Sequence, residues 1–256
     1  MKKVLVLTFL FISIINANNI TKKQCSTKEN MIFIKGECIN YFVEEGDREG
    51  KLNIIVHGAW KDGTNILARY TPFASSIAMN TDITTITFAM PGYSKSSTNN
   101  LKGLLHNKKI SRLGKKEYIE FLYAVFNKFK IDYKAKELNI IAHSAGAALS
   151  ATVSAIHPKL IKNLILAGGR YNLHNYKGQK DLVSVEDYID NIGTYTNYFI
   201  IYGSKDKISK PNISINFYEK LKSLNRNVKI LEIKNHGHLD LDMSDQSIEE
   251  ISTLLE

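Results

Sequence analysis

The sequence predicts an α/β fold: a mostly parallel sheet with helices on both faces and a β-hairpin at its N-terminal end. Three observations lead there. Continuous apolar runs recur along the 256 residues, and most end in Gly, His or Ser. Such runs are what strands buried on both faces look like. Segments of helical periodicity lie between them, and strands alternating with helices argue for a parallel sheet.

The chain starts with a segment outside the fold. Lys2 and Lys3 precede an apolar run from Val4 to Ile15, and the small Ala17 follows. This is the pattern of a secretory signal peptide over residues 1–17, too short for a comfortable membrane span. The expectation is an exported protein, periplasmic or secreted, with one domain over 18–256 and no stable membrane insertion after the leader is removed. Cys25 and Cys38 are the only cysteines. Near neighbours in an exported chain read as a disulfide. Two free thiols or a metal pair is the alternative, and neither has supporting His or Cys neighbours.

Residues 31–34 and 39–43 read as the hairpin, turning at Lys35-Gly36-Glu37. Strands are then expected at 52–56, 83–88, 138–142, 164–167, 198–202 and 228–233. The clearest helix puts Tyr118, Phe121, Leu122, Val125, Phe126 and Phe129 on one face. Others are expected at 145–156, stopped by Pro158, and at 216–224 and 247–255. Between the strand ending at Ala167 and the strand starting at Tyr198, residues 169–197 hold only a weak helix at 185–192 and suit a small cap. No repeat or linker divides the chain.

The net charge of +9 comes from Lys and Arg residues spread along the whole length. Without a basic block interleaved with aromatics, no nucleic-acid partner is expected. A basic field of this kind still favours anionic polymers or membrane surfaces in a salt-sensitive way.

Four strand ends carry chemistry, at the edge where open parallel sheets build ligand sites. Ala142-His143-Ser144-Ala145-Gly146 joins a buried strand to a small-residue helix. A nucleophile elbow needs small residues two before and two after its serine, because the turn brings neighbouring backbone close. Ser144 is therefore the candidate nucleophile. His57-Gly58-Ala59-Trp60 ends an earlier strand, so the Ala59 and Ala145 amides are candidates for an oxyanion hole. Tyr202-Gly203-Ser204-Lys205-Asp206 supplies an acid, Asp206, able to orient a histidine. Asn235-His236-Gly237-His238 supplies the base, since a side chain titrating near neutrality can take and return a serine proton. His238 is expected over His236. A metal held by that pair lacks third and fourth ligands, and no metal or organic cofactor is implied.

Candidates for the pocket lining are His57, Trp60, Tyr93, His143 and Arg170. His57 also suits a structural, hydrogen-bonding part, and His143 holds the elbow's variable position, facing away from the reaction. Asp240 and Asp242 read as the start of a loop or helix.

On these motifs the chain resembles the α/β-hydrolase superfamily from about Leu52 onward. The likeness rests on Pro91-Gly92-Tyr93, the elbow, residues 157–169, Gly203 with Asp206, and Gly237-His238, in the order Ser, Asp, His. Ala142 departs from the commoner Gly. The Ala-His-Ser-Ala-Gly elbow is similar to that of some small bacterial lipases. The resemblance implies a serine hydrolase with a Ser144-His238-Asp206 triad, cleaving an ester. An amide, thioester or peptide is the alternative, as is a binding protein on the same scaffold. Arg170, Tyr171, Asn172, His174, Asn175 and Tyr176 are polar for a lid and point to a small polar or glycan-linked ester.

Overall fold

A computed structural model of the protein describes residues 19–106, 110–174 and 180–256. The expected leader and Asn175 and Tyr176 lie outside them.

The core is an eight-stranded sheet of β1 (Met31–Ile34), β2 (Glu37–Glu44), β3 (Lys51–Val56), β4 (Thr85–Phe88), β7 (Glu137–His143), β8 (Asn163–Ala167), β9 (Asn197–Gly203) and β10 (Val228–Ile233). Leu105–His106 (β5) and Ile110–Ser111 (β6) form a separate short hairpin. The order across the large sheet is β1-β2-β4-β3-β7-β8-β9-β10. β2 runs antiparallel to β1 and β4, and every pair from β4 to β10 is parallel. The expected strand at 83–88 pairs only from Thr85.

Crossover handedness fixes where the helices go. The chain steps from β3 outward to β4, then back past β3 to β7 and onward to β10. Right-handed connections put helices of the two step directions on opposite faces. α2 (Ile66–Thr81) and α6 (Asp245–Leu255) accordingly pack together, as do α3 (Lys116–Asp132) and α4 (Ala145–Ile156). α5 (Pro211–Ser223) lies against β9 and β10.

No helix is expected from the sequence at α2, and Pro72 lies inside it, where a proline normally ends a helix. Burial overrides that penalty: Ile66, Tyr70, Phe73, Ala74, Ile77 and Ala78 form a buried stripe. Asn65 starts the helix by accepting from the Ala68 amide at 3.2 Å. α5 begins five residues before the expected 216, with Pro211 at its first position, where a missing N–H costs nothing. The weak helix at 185–192 is a 3₁₀ segment, Val185–Asn191.

Cys25 and Cys38 are bonded. The bridge ties α1 (Lys22–Ser26), which carries Cys25, to β2. Beside it the Glu37 carboxylate is fully buried. It accepts from Ser97 Oγ at 3.0 Å and from the Asn99 and Leu101 amides at 2.9 Å each. The N-terminal hairpin thus anchors the loop that runs on to Leu105.

The end of the sheet remote from the elbow carries a ladder of asparagines on adjacent strands. Asn139 Nδ2 donates to Asn53 Oδ1 at 2.9 Å, and Asn163, Asn197 and Asn227 each donate to the preceding rung at 2.8 Å. Asn53 closes the row on Thr85 Oγ1 at 3.1 Å. Every rung satisfies a polar group on the next strand, so the row fixes register where apolar side chains alone would tolerate slippage. Asn139→Ala would strand the Asn53 acceptor and the Asn163 donor. It is expected to cost about 2–4 kcal/mol, read as a lower urea midpoint with unchanged m.

Candidate active site

The sheet reverses direction of growth between β3 and β7, which opens a crevice at their carboxyl ends. Gly58 leaves β3 and Ser144 leaves β7 at that crevice. Ser144 has φ 53° and ψ −114°, a sparsely populated conformation for a residue with a Cβ. The turn holds because the surroundings leave no room to relax. A Cβ at Gly146 would sit 2.5 Å from the Val56 carbonyl oxygen, and one at Gly58 would sit 2.9 Å from the Ser144 Cβ. The Ser144 amide donates to the Ala167 carbonyl at 2.8 Å, pinning the elbow to β8. α4 starts at Ala145. The first amides of a helix have no acceptor within it, and the helix dipole favours negative charge there.

His238 Nε2 lies 2.8 Å from Ser144 Oγ, and its Nδ1 lies 2.7 Å from Asp206 Oδ2. The other carboxylate oxygen, Oδ1, accepts from the Ile208 amide at 2.7 Å and the Ser209 amide at 2.8 Å. Asp206 is 3% exposed and His238 9%. Burial pushes the Asp206 carboxyl up, but the hydrogen bond and charge of His238 and the two amides outweigh it and hold it below the usual value. Between His236 and His238 the geometry is decisive. His236 turns its Nδ1 to the Gly237 carbonyl at 3.1 Å, and only His238 reaches Ser144.

The loops that deliver these residues clasp each other. The Lys205 amide donates to the His236 carbonyl at 2.9 Å and the Asn235 amide to Ser204 Oγ at 2.8 Å. His143 adds a third tie: its Nε2 donates to the His238 carbonyl at 2.9 Å, with the two rings 5.0 Å apart. The elbow's variable residue therefore braces the segment that carries the histidine.

A cleft of about 210 Å³ opens beside Ser144, lined by Trp60, Leu105, Leu113, Ile208 and Leu239 together with Gly58, Ala59, His143, Ala145, Arg170, Ser209 and His238. Of the expected pocket residues, Trp60, His143 and Arg170 are on this wall, as are Ala59 and Ala145. His57 and Tyr93 are not, which corrects the expectation for both. His57 is fully buried behind the wall, where Nδ1 donates to the Gly58 carbonyl at 2.6 Å and Nε2 accepts from the Met90 amide at 3.0 Å. Tyr93 packs edge-on to it and donates its hydroxyl to the Trp60 carbonyl at 2.7 Å. Both shape the loop that presents Gly58 and Ala59.

Leu105, Leu113, Ile208, Ser209 and Leu239 join the wall without a sequence signal, being single residues on loops or, for Leu105, on the two-residue strand β5. The 169–197 segment gives one described residue, Arg170, to the cleft. Tyr171 stacks on Phe217 at 3.9 Å, His174 pairs with Asp187 at 2.9 Å, and Val185–Asn191 packs against α4. Asp240 pairs with Arg69, and Asp242 is buried. Among the described residues no group of three His, Cys, Asp or Glu side chains could hold a metal ion, and no helix is long and apolar enough to cross a membrane.

His57 titrates in a way that can be measured. Burial lowers its pKa from 6.5 to about 4, with the Gly58 hydrogen bond opposing and the nearby His143 adding to the drop. The unfolded chain therefore binds a proton between those values that the folded one refuses. Its contribution is intact above pH 6.5 and is lost as pH falls toward 4, by about 3 kcal/mol in all. In His57→Gln the stability curve is expected to flatten across that window, as followed by urea melts at stepped pH.

Among curated proteins none matches this chain. Solved structures do. An esterase of Pyrococcus furiosus, Pf2001, superposes with TM-score 0.68 at 19% identity, covering 93% of this chain and 95% of its own. Est1E of Butyrivibrio proteoclasticus, solved with ferulic acid bound, gives 0.63 at 17%, covering 88% and 95%. The meta-cleavage product hydrolase CumD of Pseudomonas fluorescens IP01 gives 0.62 at 12%, covering 87% and 96%. At these identities the likeness is one of fold. A family model described as alpha/beta hydrolase fold matches residues 54–185, just over half of the sequence. The chain belongs to the α/β-hydrolase fold family.

Proposed function

We propose that the protein is an exported serine hydrolase that cleaves carboxylic esters with a short apolar or single-ring acyl group. The observation that carries this reading is the continuous hydrogen-bonded relay from Ser144 Oγ through His238 to Asp206, set at the mouth of an apolar cleft. Ser144 attacks the acyl carbonyl while His238 Nε2 takes its proton, and Asp206 holds Nδ1–H and stabilises the imidazolium that forms. The oxyanion rests on the amides of Ala59 and Ala145. His238 returns the proton to the departing alcohol. A water, deprotonated by the same nitrogen, then releases the acid from Ser144.

The volume favours a small group. Ligand pockets commonly span about 300–1,000 Å³, and this cleft falls below that range, so it accepts one portion of a substrate. The polar residues at 171–174 are engaged elsewhere, which weakens the case for a glycan in the cleft and leaves Arg170 as its polar edge. The ferulic acid in Est1E suits a planar acid of this size. The apolar N-terminal run and the Cys25–Cys38 bridge support export.

The test is a set of p-nitrophenyl esters of rising acyl length, with the anilide of the best acid beside them. Turnover highest on acetate or butyrate, falling steeply on octanoate and longer, is expected. An anilide cleaved as fast as its ester would assign amidase chemistry instead.

A further inference from the structure

We propose that the protein docks the mouth of its cleft on an anionic lipid surface, so that esters reach Ser144 from that surface. The inference rests on the ester reading for what is cleaved, but its test does not.

Among the described residues, few large apolar side chains stand mostly in solvent, and two of them belong to the cleft. Ile208 and Leu239 are each 58% exposed, and both line the opening beside Ser144. They cannot retract easily. The Ile208 amide is held by Asp206 Oδ1 and its carbonyl by Arg170 Nη2 at 2.7 Å, while Leu239 directly follows His238. Two greasy tips are thus fixed outward at the rim by the catalytic scaffold. Exposed apolar groups of this placement mark interaction sites.

The charge around them is one-sided. The loops 204–210 and 234–242, clasped as described above, carry Lys205, Lys207, Lys210 and Lys234, all exposed. Of their three carboxylates, Asp206 faces His238, Asp242 is buried, and the half-exposed Asp240 is paired with Arg69. The two loops that carry the apolar pair therefore expose four lysines. That combination supplies the two signals that surface binding needs, buried apolar area and attraction to anionic headgroups. A soluble polyanion would use the lysines but has no use for Ile208 and Leu239, which favours the lipid surface.

Full-length Ser144→Ala protein, which lacks the nucleophile, is sedimented with vesicles of phosphatidylcholine alone or mixed with phosphatidylglycerol. Binding to the mixed vesicles, weakened by salt, is expected, with little to neutral ones. Lys207→Gln/Lys210→Gln/Lys234→Gln should lower it by about fivefold per lysine, the equivalent of ~1 kcal/mol each. The same triple change in the wild-type background should leave turnover of a soluble ester unchanged. Ile208→Ser/Leu239→Ser should abolish sedimentation while heparin binding persists. Equal binding to neutral and mixed vesicles, or binding untouched by the lysine triple, overturns the proposal. So does vesicle binding that survives loss of the apolar pair, which would assign a diffuse basic surface for soluble polyanions. If wild-type protein hydrolyses no ester yet binds as expected, the ester reading fails and this one stands.

Discussion

Ser144→Ala is expected to lower ester turnover by about 10⁶-fold while leaving the urea melt within experimental error of wild type. The size follows from what the hydroxyl does: without it no acyl-enzyme forms, and the remaining site offers only bound water and an oxyanion hole. In serine hydrolases, loss of the nucleophile costs about that much and leaves roughly 10³-fold catalysis over water. The small stability change follows from the geometry. Ser144 Oγ bonds to His238 and faces the cleft, so its removal strands no buried donor within the core. Ala must still adopt φ 53°, at a cost close to that of Ser, because the strain resides in the Cβ both residues share.

Asp206→Asn is expected to lower kcat by about 10⁴-fold, with little change in KM. The reason lies in the two ends of the carboxylate. Oδ1 accepts from the Ile208 and Ser209 amides, so an asparagine must place its oxygen there and its NH₂ toward His238. A donor facing Nδ1 forces the imidazole into the tautomer that carries hydrogen on Nε2. That nitrogen then donates to Ser144 instead of accepting from it, and no base remains. His236 is 2 residues away in sequence but is turned to Gly237, so it is not expected to substitute. Single-turnover kinetics on the best p-nitrophenyl ester measures the loss. A tenfold effect would mean that Asp206 only anchors its loop.

Much of this site is legible in the sequence because catalysis needs particular atoms at strand ends. The elbow, the acid after β9 and the histidine after β10 each stand where an apolar run breaks, and small residues around Ser144 signal the tight turn. The pocket wall is legible only in part. His57 and Tyr93 sit in the right loops, yet their side chains turn inward, because a buried polar ring there satisfies the Met90 amide and the Gly58 and Trp60 carbonyls. Leu105, on β5, and Leu239, after β10, reach the cleft from distant segments that only the folded chain brings together.

The fold divides in the same way. Strands and the amphipathic α3 follow from periodicity. α2 is not among the expected helices; it contains Pro72, whose local cost is overcome by tertiary burial. The asparagine ladder is invisible for a different reason: an asparagine next to an apolar run ordinarily reads as a turn. Only the parallel register, Asn53 opposite Asn139 opposite Asn163 opposite Asn197, turns four isolated residues into one row, which Asn227 extends.

The central claim, an activated serine at position 144, is tested most directly by peptide mapping after exposure to a fluorophosphonate. One adduct on Ser144 in the wild type, absent in His238→Ala, is predicted. An unlabelled Ser144 in folded wild-type protein, or equal labelling in His238→Ala, would contradict it.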